Sequence, residues 1–125
     1  MNGLHLTADL YGCRSSAALM TDADRLGLLC RTETERVGLT LVGERWHTFA
    51  PHQGSPGGVT GMLLLAESHL AIHTWPERGG VTLDVYVCNF SEDNTAKARG
   101  LMFALVNRFQ PEWTEQRSLD RGDDS

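Results

Sequence analysis

The sequence predicts an α+β protein, a two-layer sandwich in which a mostly antiparallel sheet carries two helices on one face. Two stretches, residues 3 to 11 and 81 to 88, alternate between apolar and polar side chains with the period of a half-buried strand. Two longer stretches, Thr21 to Gly38 and Ser91 to Phe109, place their apolar residues at helical spacing. The elements follow in the order strand, helix, several strands, helix, short end strand, as in folds that segregate helices to one side of a sheet.

The elements can be justified in turn. In the first strand Leu4, Leu6, Ala8 and Leu10 share one face and His5, Thr7, Asp9 and Tyr11 the other. "TDADRLGLLCRTETERVG" opens with a capping residue and early acids, and carries Ala23, Leu26, Cys30 and Val37 in helical register. It closes on Gly38, a suitable C-cap. "LTLVGERWHTFA" is strand-like. "PHQGSPGG" crowds Pro, Gly and Ser into a loop before the apolar run "VTGMLLLAE". Two more strands follow, at 69 to 75 and 81 to 88. "SEDNTAKARGLMFALVNRF" supplies a capped helix with Ala98, Leu101, Met102, Leu105 and Phe109 in register. The domain is expected to span residues 1 to 118, with a polar, disordered tail at 119 to 125.

Composition narrows the function. A chain of 125 residues, 41% apolar, has material for one good core. Its 11 basic residues are scattered among 16 acidic ones, so no positive stripe suits nucleic acid. Cys13, Cys30 and Cys88 are far apart and form no CxxC pair, which argues against a disulfide framework or structural zinc site and for a reducing cytoplasm. The N-terminus lacks a basic region followed by a long apolar run, and "GMLLLA" is too short to span a bilayer. We expect a cytoplasmic protein with no membrane partner.

The valine-bearing side of residues 81 to 88 should meet the helices, leaving Thr82, Asp84, Tyr86 and Cys88 on the far face. In the preceding strand, Leu70 and Ile72 should point to the helices and His69, Ala71 and His73 away, so His73 and Cys88 share a surface that something else must cover. Four readings of these residues compete. The plainest makes them structural, and Cys13 and Cys30 keep that reading. A metal site on His69 and His73 fails because an i, i+4 pair on a strand lies about 13 Å apart. A Cys-His nucleophile lacks an orienting acid or carboxamide and an oxyanion turn, and Ser68 lacks the G-x-S-x-G elbow of a hydrolase serine.

The fourth reading comes from "HLTADLYGC", "WHTF", "VTG", "ESHLAIHTWPE" and "LDVYVC", taken in order. This series resembles the prokaryotic class of S-adenosylmethionine decarboxylase proenzymes, self-cleaving pyruvoyl enzymes of polyamine (spermidine) synthesis. The resemblance covers most of the chain, and the long junction motif is its specific part. It implies a cut between Glu67 and Ser68, with Ser68 the precursor of a covalent pyruvoyl group. That group forms a Schiff base with the substrate amine and is the electron sink for decarboxylation, with no metal and no pyridoxal phosphate. It implies His73 as the processing base, Thr60 as a hydroxyl assisting processing where the family usually has Ser, and Cys88 as the proton donor in turnover. Phe49 would stack on adenine and Glu77 accept hydrogen bonds from ribose hydroxyls.

The same resemblance implies a homo-oligomer of cleaved protomers, a dimer with sites at its interface, which would cover the second sheet face. The loop "APHQGSPGGVTG" is several residues longer than the family's usual connection, with His52 where an aromatic is typical. Arginine and ornithine are the alternative substrates. All three are positively charged α-amino acids, so a net charge of −5 does not separate them. The rival class is an uncleaved, non-enzymatic binding module. One geometrical problem stands: Ser68 and His73, five residues apart, face opposite ways on a regular strand, so the chain must bend at the junction or they must meet by another route.

Overall fold

The alternation at residues 3 to 11 becomes β1 (Gly3–Tyr11) in a computed structural model that describes residues 2–122. There follow α1 (Ala17–Thr21), α2 (Ala23–Arg36), β2 (Leu41–Thr48), β3 (Val59–Leu65), β4 (Ser68–Trp75), a single 3-10 turn (Pro76–Arg78), β5 (Gly80–Cys88), α3 (Thr95–Phe109) and β6 (Trp113–Arg121). One sheet in the order β2-β3-β4-β5-β1-β6 contains all six strands, and every neighbouring pair is antiparallel. α3 lies over β1 and β5, and α2 over β2 and β3, so both long helices cover one face.

Alternation decides which side chains meet the helices. Leu4, Leu6, Ala8 and Leu10 from β1, Val81 to Val87 at every second position of β5, and Leu70 and Ile72 of β4 are all buried in one cluster. α2 adds Leu26, Leu29 and Cys30, and α3 adds Ala98, Leu101, Leu105 and Phe109. Burial pushes the Cys30 thiol up to about 12, with Arg31 pulling the other way, as befits a small buried apolar group.

Three local expectations need correction. α1 is an extra five-residue helix that precedes α2, so Thr21 ends a helix instead of capping one. The cap of α2 is Asp22, whose carboxylate accepts from the N–H groups of Asp24 and Arg25 at 3.0 and 3.4 Å. The tail does not begin at residue 119: Leu119, Asp120 and Arg121 continue β6, paired with His5, Leu4 and Gly3. β6 is an edge strand held by backbone bonds with most of its side chains exposed, so it shows no apolar period. Residues 123–125 lie outside the described residues.

Two side-chain fastenings position the rest. Thr74 Oγ1 donates to the Met20 carbonyl at 2.7 Å and accepts from Val59 N–H at 2.8 Å, tying β4 to α1 and β3. Glu44 Oε1 accepts from Arg31 at 2.6 Å and from the Trp46 indole at 2.8 Å, tying β2 to α2. The Trp46 ring lies directly over Gly61, where any side chain would collide with it. Gly61→Ala should therefore destabilise the chain by about 1–3 kcal/mol through overpacking. Denaturant unfolding in a common Ser68→Ala background measures this, and an unchanged midpoint would show that Trp46 moves aside freely.

Candidate active site

β3 and β4 are joined by two residues, Ala66 and Glu67, between the paired Leu65 and Ser68. Glu67 has φ +58°, in the left-handed region where turns ordinarily place Gly or Asn. An L-residue with a full side chain is held there at a cost of about 1 kcal/mol. The strained residue is the one before Ser68.

Ser68 is buried, and its Oγ accepts from the backbone N–H of Cys88 at 3.4 Å. Its pairing with Leu65, a core residue, puts it on the helix side of the sheet. Cys88 ends β5 with only 8% of its surface exposed. The carbonyl of Cys88 accepts from Asn94 Nδ2 at 2.9 Å, so its backbone is held on both sides. Asn94 stands at the N-cap position of α3, but its side chain turns back to β5 instead of capping, and its buried Oδ1 has no protein partner. Asp93 caps in its place, accepting from Thr95 N–H at 3.0 Å, and that bond holds its carboxyl below the usual carboxylate range. Ser91 Oγ donates to Glu67 Oε2 at 3.4 Å, bringing the loop after β5 onto the strained turn.

A second group of residues gathers at the other end of β4. His73 Nδ1 and Thr60 Oγ1 share a hydrogen bond of 3.0 Å across β3 and β4. They line a cavity of about 580 Å³ together with Phe49, Trp75 and Glu77, a volume suited to a small-molecule ligand. Phe49 is half exposed and braced by the His47 ring, edge-on at 4.7 Å and 80°. Glu77 follows Pro76 in the 3-10 turn, which is closed by Gly79 in the left-handed conformation.

The two groups do not meet within one chain. Ser68 and His73 lie on opposite faces and, five strand residues apart, are separated by about 17 Å. Cys88 and His73 share the far face, as alternation requires. His73 pairs with Thr82, however, which stands six residues before Cys88, or about 20 Å along the strand. The sequence reading therefore assigns the faces, and the structure divides the predicted site residues into Glu67, Ser68 and Cys88 at one end and Phe49, Thr60, His73 and Glu77 at the other.

The far face between these ends is uncovered. His69 stacks on Tyr86 at 5.5 Å, and His5 meets both rings edge-on at 6.2 to 6.3 Å. Six large apolar side chains on this face are exposed: Tyr11, Met62, Leu64, Trp75, Trp113 and Leu119. Among the described residues no three His, Cys, Asp or Glu side chains converge in an arrangement that could hold a metal, and no helix is long and apolar enough to cross a membrane.

Residues 4–122 match the family described as S-adenosylmethionine decarboxylase. The chain belongs to that family. Among its relatives, the S-adenosylmethionine decarboxylase proenzyme of Archaeoglobus fulgidus is 36% identical over 120 residues, covering 96% of this chain and 97% of the relative. The proenzyme of Aquifex aeolicus is 35% identical over 126 residues, covering 96% and 81%. The crystal structure of the adenosylmethionine decarboxylase from Aquifex aeolicus superposes with a TM-score of 0.84 at 32% identity, covering 98% of this chain and 92% of that one. The α+β sandwich is therefore the fold of a decarboxylase family, and the two residue groups stand at opposite ends of one of its central strands.

Sequence reasoning missed two contributors to the two ends of this decarboxylase-family fold, Asn94 and Trp75, and noted the loop around residues 52 to 55 only for its length and for His52. Only Trp75 carried a signal, since every second residue from His69 onward should share its face.

Burial, followed by the positive influence of His5, lowers the pKa of His69 below its ordinary 6.5. The folded chain then holds this proton less tightly than the unfolded chain. Stability is full above pH 6.5, falls as pH drops through the interval below it, and levels off once the folded form is also protonated. His69→Gln should flatten that slope. Thermal midpoints of Ser68→Ala chains with and without the change, taken between pH 7.5 and 5, check this; identical slopes would remove His69 as the cause.

Proposed function

We propose that this chain is a self-processing, pyruvoyl-dependent S-adenosylmethionine decarboxylase whose two active sites lie between the sheet faces of a homodimer. The observation that carries the reading is the turn at Glu67-Ser68: a buried serine hydroxyl directly follows a residue held in the left-handed region. Release of that strain favours rearrangement of this peptide bond over its neighbours.

Processing needs only two copies of this chain and one water. Ser68 Oγ attacks the Glu67 carbonyl carbon, the C–N bond breaks, and the amide becomes an ester. A base takes the Ser68 α-proton, the Cβ–Oγ bond breaks, and Glu67 leaves as a carboxylate. The dehydroalanine left on the second fragment tautomerises to an imine, which water hydrolyses to a pyruvoyl group with release of ammonia. The Cys88 N–H on Ser68 Oγ offers a donor to an oxygen at that position, so the surroundings fit the group.

The pyruvoyl ketone supplies the electron sink for loss of CO₂. Cys88, whose backbone N–H lies on Ser68 Oγ and whose carbonyl is held by Asn94, is the residue we assign to return a proton to carbon. Phe49 offers a ring face to adenine and Glu77 a carboxylate to the ribose hydroxyls, both in the same cavity. The base is His73, oriented by Thr60. Since it stands about 17 Å from Ser68 of its own chain, the His73 that serves Ser68 belongs to the second protomer. Six exposed apolar side chains on the uncovered face supply the surface for that pairing.

The relatives' shared name favours S-adenosylmethionine over arginine or ornithine. Three free cysteines fit a cytoplasmic setting. Intact mass spectrometry should find two fragments, residues 1–67 and 68–125, the second with a blocked N-terminus. Ser68→Ala should give one full-length chain and no CO₂ from S-adenosylmethionine. Cys88→Ala should still be cleaved while turnover falls about a hundredfold or more. A wild-type chain that stays intact would favour the binding module instead.

A further inference from the structure

The ten residues from Phe49 to Gly58 form an ordered structure of their own. At the base, Phe49 N–H donates to the Gly58 carbonyl at 2.9 Å. A side chain at Gly57 would collide with the Phe49 carbonyl, and one at Gly58 with the Thr74 carbonyl, so the loop lies flat against the strands. At the tip, His52 N–H donates to the Ser55 carbonyl at 2.9 Å and Ser55 N–H to the His52 carbonyl at 3.0 Å. The two residues between them, Gln53 and Gly54, have φ +51° and +81°, the positive pair that a tight two-residue hairpin turn requires. The loop is a small hairpin tied at both ends, and it forms one wall of the cavity that holds Phe49 and Glu77.

Gln53 sits at the crown of that wall. Among the described residues its carboxamide has no hydrogen-bond partner, although the left-handed backbone that displays it is unfavourable for a Gln. A carboxamide presents an acceptor and donors in one plane. That pattern complements the adenine edge, which shows the N6 amino donor beside the N7 acceptor, and opposes a 6-oxopurine, which shows two acceptors.

We propose that the 52 to 55 hairpin is the base-reading wall of the substrate pocket, with the Gln53 carboxamide pairing to the N6/N7 edge of adenine while Phe49 takes the ring face. The proposal rests on the adenosyl-substrate reading above. It makes Gln53 a specificity-determining residue, and it gives the lengthened loop a task.

The test uses the full self-cleaved enzyme. Gln53→Ala should raise KM for S-adenosylmethionine about tenfold, leave kcat within about twofold, and leave the extent of self-cleavage unchanged. Calorimetry with 5′-methylthioadenosine and its 6-oxo counterpart 5′-methylthioinosine reads recognition of the base without turnover. Wild type should prefer the adenine compound by about fivefold to a hundredfold, and Gln53→Ala should lose that preference. Gln53→Asn should recover part of it. An unchanged KM with the preference intact, or a fall in kcat with KM unmoved, would overturn the proposal. A wild type that binds 5′-methylthioadenosine with this preference but releases no CO₂ would sink the substrate reading and leave the base-reading role standing. A wild type that binds neither compound would sink the hairpin's role.

Discussion

The two-residue pleat of β4 is the constraint on which the rest depends. Because β4 is paired on both sides, its register cannot slip by one residue without exchanging its faces. Ser68, Leu70, Ile72 and Thr74 are buried on the helix side, and His69, Ala71, His73 and Trp75 are left for the other. The same alternation that secures the core therefore parts the serine from the imidazole. A regular strand cannot bring them together, and the chain bends only outside the strand, at Ala66 and Glu67.

That separation organises the predicted site residues into two groups. At the Ser68 end the groups are backbone-anchored and closely held: a strained turn, the Cys88 N–H, and Asn94 on the Cys88 carbonyl. At the His73 end they are open: a cavity walled by a hairpin, a half-exposed Phe49 and a carboxylate. The first suits a bond rearrangement that must occur once in a fixed geometry, and the second suits a ligand that must enter and leave. Between them lies an apolar and histidine-bearing face that its own helices do not reach. In the proposed homodimer, a symmetric pairing of two such faces would put each closed half opposite an open half and cover both surfaces at once.

Where side-chain burial follows a period, the sequence disclosed the structure. β1 and β5 alternate because one face is packed and the other is not, and the face of every residue in them follows from that. The junction motif was legible as a string because it combines unusual residue types in a fixed order. The edge strand β6 was legible only as a short end strand and not to its full length, since its pairing uses backbone groups and leaves no apolar rhythm in "TEQRSLDR". The turn before Ser68 was legible only as one of two options, a bend at the junction, since Glu is an unfavourable residue at the left-handed position where the chain reverses. Asn94 was not legible either, a good capping residue used for another bond. These local rules fail around the candidate site, where strain and unusual partners have a use.

A mixed-protomer experiment tests the shared-site claim most directly. Ser68→Ala chains lack the pyruvoyl precursor but keep Phe49, His73 and Glu77, while Glu77→Ala chains keep Ser68 but lack the ribose contact. Each is expected to be inactive alone. Co-expressed at equal levels, they should recover about a quarter of wild-type activity, since half of randomly paired dimers are mixed and each holds one intact site. No recovery in dimers shown to be mixed would mean that Ser68 and Glu77 act within the same chain, and would contradict the account.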